Sequence, residues 1–194
     1  MKTKWRKIAL RSVVALVTLA ALPAVLAQQG NPAGMTPSSQ QPTPAPVPNP
    51  ADRLFVLLVG QGGLAEVDLG RLAQAKAGSA AVKRFAQQMV DDHSKSHAEL
   101  EKAARSANLA PPAQPSPDQQ AAHARLASLD GAAFDQAYLR VQLVEHQKTV
   151  QLLQWEMGSG QHAPLQHVAA DALPTVLDHL ATVQALISEP PPPR

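Results

Sequence analysis

The segment GAAFDQAYLRVQLVEHQKTVQLLQWEM, residues 131–157, decides the fold class of this chain. Its apolar residues recur at spacings of three and four, which is the period of an α-helix. They form two stripes, one of Phe134, Ala137, Val141 and Leu152, and another of Leu139, Leu143, His146, Val150, Leu153 and Met157. A helix that is apolar on two faces is expected to lie at the centre of a group of helices.

Four further helices are predicted around this segment, at residues 52–77, 79–108, 116–129 and 163–187. Glycine and proline separate them, and serine precedes two of them as an N-cap. The GQGG sequence at 60–63 can kink the first helix, and Pro174 is expected to bend the last, because proline has no amide hydrogen. The first, second and last of these helices are long, and each has a predicted buried stripe. The stripes are, in chain order, Leu54, Leu58, Ala65, Leu69 and Leu72; Val82, Phe85, Met89, His93, Ser96, Leu100 and Ala103; and Leu165, Val168, Ala172, Val176, His179, Val183 and Leu186.

The lengths of the connections predict how the four long helices are arranged. Short turns join the first pair and the last pair, so each pair forms an antiparallel hairpin. A longer stretch, which contains the short helix, joins the two hairpins and can run the length of the bundle. We therefore predict an all-α domain over residues 51–189, a ferritin-like four-helix bundle with a short extra helix in the long crossover between the two helical hairpins.

Both ends of the chain differ in composition from this domain. Residues 1–27 carry five basic residues, then an uncharged apolar run and a small-residue cleavage signal, which is typical of an export signal peptide. Residues 28–50 are expected to be a disordered Pro-rich linker, and residues 190–194 a Pro-rich tail. We therefore expect a periplasmic or extracellular protein with no stable membrane span after signal cleavage.

Cleavage of the signal peptide changes the charge of the protein. Five of the 17 Lys and Arg residues lie in the signal, which leaves 12 against 15 Asp and Glu, a net charge near −3. A basic surface for nucleic acid is therefore not expected. The chain has no cysteine, which excludes disulfides, thiolate metal ligands and a cysteine nucleophile. It also lacks a Ser-His-Asp pattern and a glycine-rich phosphate loop.

Three histidines fall on the predicted buried stripes of three different helices: His93, His146 and His179. Residue counts from the connecting turns place them, together with Glu66 of the first helix, at a similar depth, because each residue advances a helix by about 1.5 Å. Imidazole and carboxylate groups suit Fe, Zn, Mn or Cu. These four residues are the predicted metal ligands. A metal-free hydrogen-bond network of the same histidines remains open as the alternative.

Other polar residues lie near these stripes. Glu145 could join the site or support it, and His97, four residues after His93, lies at the edge of the stripe beside a charged face. The residues expected to face solvent there are Asp91, Asp92, Lys95 and Glu99, and the histidines expected at the surface or in turns are His123, His162 and His167.

The segments GGLAEVDLGRLA, VKRFAQQMVDDHSKSHAEL, GAAFDQAYLRVQLVEHQKTVQLL and LPTVLDHL occur in this order, and in them the chain resembles the domain of unknown function 4142 family. The resemblance covers roughly residues 54–186. It implies an exported bacterial protein with a ferritin-like bundle and points to the same four predicted ligands. The residues three before the histidines are Val90, Leu143 and Val176, whereas di-iron bundles use Glu-x-x-His pairs, so ferroxidase chemistry is not expected.

The function that these observations predict is that of an exported helical-bundle protein of unassigned activity. Its core His/carboxylate layer would bind a transition metal, in envelope stress or metal handling. The alternative is a structural or interaction module of the cell envelope, with an envelope protein as partner and a metal-free hydrogen-bond network of core histidines. An oxidoreductase with an open metal position is a third hypothesis.

Overall fold

A computed structural model describes residues 47–188 of the chain. They form five α-helices: α1 (Pro50–Lys76), α2 (Ala80–Ser106), α3 (Pro117–Ala127), α4 (Gly131–Ser159) and α5 (Ala163–Ser188). No strand occurs in this part of the chain, where the only extended pairing is an isolated bridge between Ala77 and Gly131. The predicted export signal, residues 28–46 of the predicted linker and the predicted tail lie outside the described residues.

The first helix begins earlier than predicted, because Asn49 caps it. The Asn49 side chain accepts a hydrogen bond from the amide of Asp52 at 2.9 Å, and the Asp52 carboxylate accepts one from the amide of Asn49 at 2.6 Å. Pro50 occupies the first helical position, where a missing amide hydrogen costs nothing. The last residue of the predicted linker is therefore the first residue of α1. The serine caps predicted at Ser79 and Ser116 are confirmed.

The four long helices form a bundle in which each packs against two others. α1 lies beside α2 and α4, and α5 lies beside the same two helices, while α3 packs mainly on α1. Each long helix has 26 to 29 residues, so the bundle is about 40 Å long at about 1.5 Å per residue. The predicted fold, a four-helix bundle with a short extra helix in the long connection, is confirmed.

Hydrogen bonds at the two ends of the bundle set the direction of α4. At one end, the Asp135 carboxylate in the first turn of α4 accepts hydrogen bonds from the amides of Gly78 and Ser79 at 3.0 and 2.8 Å. At the other end, the side chain of Asn49 donates to the carbonyl of Ser159 at 2.7 Å. α4 therefore runs antiparallel to α1, and the connection that contains α3 returns along the length of the bundle.

The inward face of α1 differs from the predicted stripe. Leu54 and Leu58 are 42% and 36% exposed, whereas Phe55 and Val56 are buried. The run RLFVLLVG places apolar side chains on every side of the helix, so spacing alone does not identify the buried face. The prediction for Met157 is also wrong, because this residue of the last turn of α4 is exposed.

The GQGG sequence does not interrupt α1, which continues through residues 60–63. A side chain at Gly60 would meet the ring of Pro112 at 2.7 Å. Glycine at this position therefore lets the connection before α3 approach α1 closely. α5 likewise continues past Pro174 to Ser188. None of the helices between residues 47 and 188 combines the length and the apolar composition needed to cross a bilayer.

The apolar core consists of two clusters, one toward each end of the bundle. One cluster includes Phe85, Met89, Phe134, Tyr138 and Val183, and the other includes Phe55, Leu100, Leu153, Leu165 and Val176. Between the two clusters, each long helix contributes at least one polar residue to the interior. We call these residues the middle layer: Glu66, His93, Gln142, His146 and His179.

Candidate metal centre

The middle layer brings three histidine rings together from three helices. His93 comes from α2, His146 from α4 and His179 from α5, and the ring centroids of all three pairs are 5.5–5.6 Å apart. One nitrogen of each ring lies within 4.8 Å of the other two. Among residues 47–188, no other three His, Cys, Asp or Glu side chains converge in this way.

A backbone carbonyl orients His146. Its Nδ1 lies 2.9 Å from the carbonyl oxygen of Gln142, one turn earlier in α4. Because a carbonyl oxygen can only accept, the proton of the neutral ring is on Nδ1 and the lone pair is on Nε2. Nε2 is buried, and no donor reaches it. Burial lowers the pKa of His146 to about 4, although the hydrogen bond to Gln142 acts in the opposite direction; His179 makes a smaller lowering contribution. The ring is therefore neutral at pH 7.

Asp92 orients His179 in a similar way. Nε2 of His179 lies 2.8 Å from the Asp92 carboxylate, which accepts its proton in a hydrogen bond. In a neutral ring this hydrogen bond places the lone pair on Nδ1, which is buried and has no hydrogen-bond partner among residues 47–188. The side chain of His179 is 1% exposed and that of Asp92 is 37% exposed. This pair thus connects the interior of the bundle with its surface.

Nε2 of His93 is the third buried nitrogen without a donor. Burial lowers the pKa of His93 well below its ordinary value, and the neighbouring His146 and His179 lower it further. His93 is therefore also neutral at pH 7. The residue as a whole is partly exposed, because it lines a cleft between α2 and α5, although its inward nitrogen is buried.

Each of the three converging rings therefore has a buried nitrogen that no hydrogen-bond partner from residues 47–188 reaches. Buried polar atoms in proteins nearly always have a partner, and leaving one unpaired costs about 1–3 kcal/mol. A cation at the centre of the three rings would satisfy all three atoms at once. The neutral form of imidazole, which burial favours at His93 and His146, is also the form that binds metals.

Glu66 lies in the same layer but outside the group of converging nitrogens. It accepts a hydrogen bond at 2.6 Å from the side chain of Gln142, whose backbone carbonyl orients His146. Burial raises the pKa of Glu66 to about 8 against the effect of this hydrogen bond, and the charge of Glu145 raises it further. The carboxyl group is therefore neutral at pH 7. Among the described residues, hydrogen bonds connect Glu66 to His146 through Gln142.

The residue pattern does not predict two members of this site, Gln142 and Asp92. Gln142 carries a signal that could have identified it, since it lies four residues before His146 and hence on the same face of α4. Asp92 was expected to face solvent, and its side chain is 37% exposed, but its carboxylate also contacts the buried His179. α5 packs against α2 on the side where Asp92 lies, and this packing brings the carboxylate to His179.

The other two side chains considered near the site lie beside charged residues of their own helices, and Nδ1 of His97 is buried without a hydrogen-bond partner among the described residues. Nε2 of His97 lies 3.6 Å from Glu101, one turn further along α2. Glu145 forms an ion pair with Lys148 at 2.7 Å and is partly exposed. Neither residue belongs to the group of converging ligand atoms.

His162 is the exception among the histidines predicted at the surface or in turns, because it is only 5% exposed. Its amide donates to the Asp52 carboxylate at 3.1 Å, which draws the residue into the end of the bundle. Glu156 is buried beside the same carboxylate. Burial and the neighbouring Asp52 raise the pKa of Glu156 to about 8, so a neutral carboxyl group packs against a charged one. His167, by contrast, is exposed as predicted.

Two cavities reach the middle layer at the histidines. A cleft of about 710 Å³ between α2 and α5 extends to His93 and His179. A smaller cavity of about 30 Å³ is lined by Glu66, His93 and Thr149 among others, and this is enough space for a water molecule. Two of the three rings, His93 and His179, are therefore accessible from the surface between α2 and α5.

Comparison with known proteins adds a family and a set of structures with the same fold. The family model described as "Domain of unknown function (DUF4142)" matches residues 36–186. No curated protein matches the chain.

Three solved structures are similar to the chain. A DUF305 fragment from Deinococcus radiodurans is 17% identical, with a TM-score of 0.65 over 73% of this chain and 98% of that one. A DUF305 protein from Streptomyces coelicolor, named as a suspected secreted protein, is 14% identical, with a TM-score of 0.61 over 70% and 89% of the two chains. CopM in the Cu(I)-bound form is 14% identical, with a TM-score of 0.58 over 69% and 93%. At these identities the similarity shows the fold alone.

Proposed function

The chain belongs to the DUF4142 family, a domain of unknown function, and we propose that it is an exported protein that binds a transition metal ion through His93, His146 and His179. Metal handling or protection of the cell envelope against metal stress is the role that fits such a protein. Glu66, the fourth predicted ligand, supports the site through Gln142 in this proposal.

The observation that supports the proposal is the convergence of three histidine rings, each with a buried nitrogen that has no hydrogen-bond partner among the described residues. Imidazole suits Zn, Cu, Fe and Ni, whereas Mn, Mg and Ca prefer carboxylate and carbonyl oxygens. No carboxylate or thiolate belongs to the converging group, so copper and zinc fit it best. CopM, which has the same fold, was solved in the Cu(I)-bound form, and this makes copper the first metal to test.

The spacing of the nitrogens fits a single ion. Two ligand nitrogens lie about 2.0–2.1 Å from a zinc ion and hence at most about 4.2 Å from each other. The nitrogens of the three rings lie within 4.8 Å of one another, so small ring rotations bring them into range. Three protein ligands leave a tetrahedral ion one free position, and the cavities beside His93 give space for an exogenous fourth ligand.

Metal binding is tested with the full chain, stripped of metal and titrated with Cu(I) or Zn(II) in the presence of a competing chelator. We expect one ion per chain for the wild type and no tight binding after His146→Ala. His123→Ala is the matched control, because it removes a histidine that lies outside the group. A wild type without a 1:1 complex, or a His146→Ala variant with unchanged affinity, would contradict the proposal.

A structural or interaction module with a metal-free core is the second candidate function, and the contact between Asp92 and His179 favours it. The carboxylate holds the His179 ring in the core by a hydrogen bond that needs no metal ion. The three histidines would then fix the packing of the helices as part of a polar network. In this case, addition of copper or zinc leaves the melting temperature of the wild type unchanged, whereas a specific ligand raises it.

Export is the remaining part of the proposal, and it is supported by the pattern of residues 1–27. Cell fractionation and N-terminal sequencing of the mature protein test it. We expect the protein in the envelope fraction with Gln28 as its first residue. An intact N-terminus in the cytoplasmic fraction would contradict export and leave the metal proposal to be judged by the titration.

A further inference from the structure

The cleft between α2 and α5 reaches His93 and His179 and is larger than the small cavity that also touches His93. Its walls come from these two helices, and its inner end is formed by His93 and His179. The similarly large cleft beside α1, α3 and α4 reaches Glu66 but none of the three rings. The small cavity that also touches His93 holds only about 30 Å³. Of these three cavities, the cleft between α2 and α5 is therefore the one with enough space for an ion from solvent to reach His93 and His179.

Asp92 lies in the wall of this cleft, next to the ligand residue His93 in the chain. Its side chain is 37% exposed, and its Oδ2 accepts a hydrogen bond from Nε2 of the nearly fully buried His179 at 2.8 Å. A neutral imidazole has one N–H and one lone pair, so a carboxylate at Nε2 places the lone pair on Nδ1. Nδ1 is the atom of His179 that lies without a donor in the interior.

We propose that the cleft between α2 and α5 is the path by which the metal ion reaches and leaves the three histidines, and that Asp92 is a positioning residue that keeps the Nδ1 lone pair of His179 directed at the ion. This inference rests on the proposed metal binding. A carboxylate that accepts a hydrogen bond from the other ring N–H of a metal-bound histidine fixes the tautomer and the orientation of the ring. Loss of such a carboxylate typically lowers metal affinity 10–100-fold.

The positioning role is tested by Asp92→Ala, with Asp91→Asn as the matched control. Asp91 is the neighbouring residue and is exposed, and its carboxylate bonds to Gln87 rather than to a histidine. We expect Asp92→Ala to weaken Zn(II) and Cu(I) binding 10–100-fold. Asp91→Asn removes an equal charge at nearly the same place and should change the affinity less than about threefold, because exposed charges interact weakly.

A spectroscopic readout separates positioning from a general structural effect. ¹⁵N NMR of the metal-free protein distinguishes the two tautomers of His179. We expect the Nε2–H tautomer in the wild type and in Asp91→Asn, and a mixture or the opposite tautomer in Asp92→Ala. If His179 has the same tautomer in all three proteins, or if Asp92→Ala binds zinc and copper as the wild type does, the positioning role is overturned.

The path is tested by Thr175→Trp, with Leu177→Trp as the control on another face of α5. Thr175 lines the cleft one turn before His179, whereas Leu177 is 45% exposed and does not line it. We expect Thr175→Trp to slow both the uptake and the release of Zn(II) at least tenfold with an unchanged dissociation constant. Equal rates in the two tryptophan variants would overturn the path.

The experiments distinguish failure of the proposed metal binding from failure of the path and of the positioning role of Asp92. A wild type that binds neither ion overturns the proposed function, and with it the path. The tautomer of metal-free His179 still decides whether Asp92 positions the ring, because that measurement needs no ion. A wild type that binds zinc while Asp92→Ala and Thr175→Trp behave as their controls do leaves the proposed function standing and overturns this inference.

Discussion

Substitution of Glu66 by Gln tests the electrostatics of the middle layer. Glu66 is 5% exposed, and its one side-chain hydrogen bond among the described residues comes from Gln142. Glutamine has nearly the same shape, and its amide oxygen can accept the same hydrogen bond. The substitution therefore removes the ability to ionise and little else.

The size and sign of the effect follow from the pKa of Glu66, which burial raises from 4.5 to about 8. Between these values the unfolded chain releases the proton while the folded protein keeps it. The contribution of Glu66 to the stability of the wild type is therefore most favourable below pH 4.5 and falls as pH rises toward 8. At about 1.36 kcal/mol per pH unit, the loss attributable to Glu66 is up to about 5 kcal/mol. Glu66→Gln does not incur this loss.

The assay is urea unfolding of the metal-free protein at intervals from pH 5 to pH 9. The free energy of unfolding of Glu66→Gln minus that of the wild type should increase by roughly 1.4 kcal/mol per pH unit up to about pH 8 and then remain constant. Glu156 titrates in the same direction but is present in both proteins, so its effect cancels. The control is Glu99→Gln at an exposed position of α2, for which no such increase is expected. A difference that does not change with pH would refute the reasoning, because the carboxyl group would then be solvated and ionised in the folded protein.

Three further predictions concern one end of the bundle, the apolar core and the three histidines. Asp52→Ala removes the acceptor for the amides of Asn49, Gln161 and His162 and should lower the free energy of unfolding by about 1–3 kcal/mol. Burial raises the pKa of Asp52, but these hydrogen bonds together outweigh burial and lower it. The difference in the free energy of unfolding between Asp52→Ala and the wild type, measured by denaturant unfolding, should therefore shrink at acidic pH. A difference that stays constant with pH would contradict this. Phe134→Ala deletes a fully buried ring that stacks on Tyr138 and should cost about 3–5 kcal/mol, measured against Leu177→Ala at an exposed site. Copper or zinc at 100 times its dissociation constant should stabilise the wild type by about 2.7 kcal/mol and leave a His93→Ala, His146→Ala, His179→Ala triple variant unchanged in thermal unfolding.

Much of the fold could be predicted because helical period and connection length are local properties of the chain. The same count of residues from the turns predicts that His93, His146 and His179 lie at one depth, and their rings do meet. The buried face of α1 could not be predicted, because Leu54, Phe55 and their neighbours are apolar all round the helix. Only packing against α2 and α4 selects one face.

The contacts that orient the histidines depend on which helices are neighbours and how they are rotated. Gln142 acts within α4, four residues from His146, and so its role is recoverable from spacing. Asp92 acts across two helices, and a charged residue at the edge of a stripe equally fits a solvated face. His162 is buried because its backbone, rather than its ring, bonds to Asp52. A hydrogen bond made by the backbone cannot be predicted from the type of the side chain.

The division of the core into two apolar clusters has a consequence for how the bundle opens. With a polar layer between them, the two ends need not open together, and amide hydrogen exchange of the metal-free protein is expected to show two sets of protected residues with different opening free energies. An ion bound by α2, α4 and α5 would join the two sets, so that they exchange as a single cooperative unit. Occupancy of the centre would then be measurable from residues at either end of the bundle.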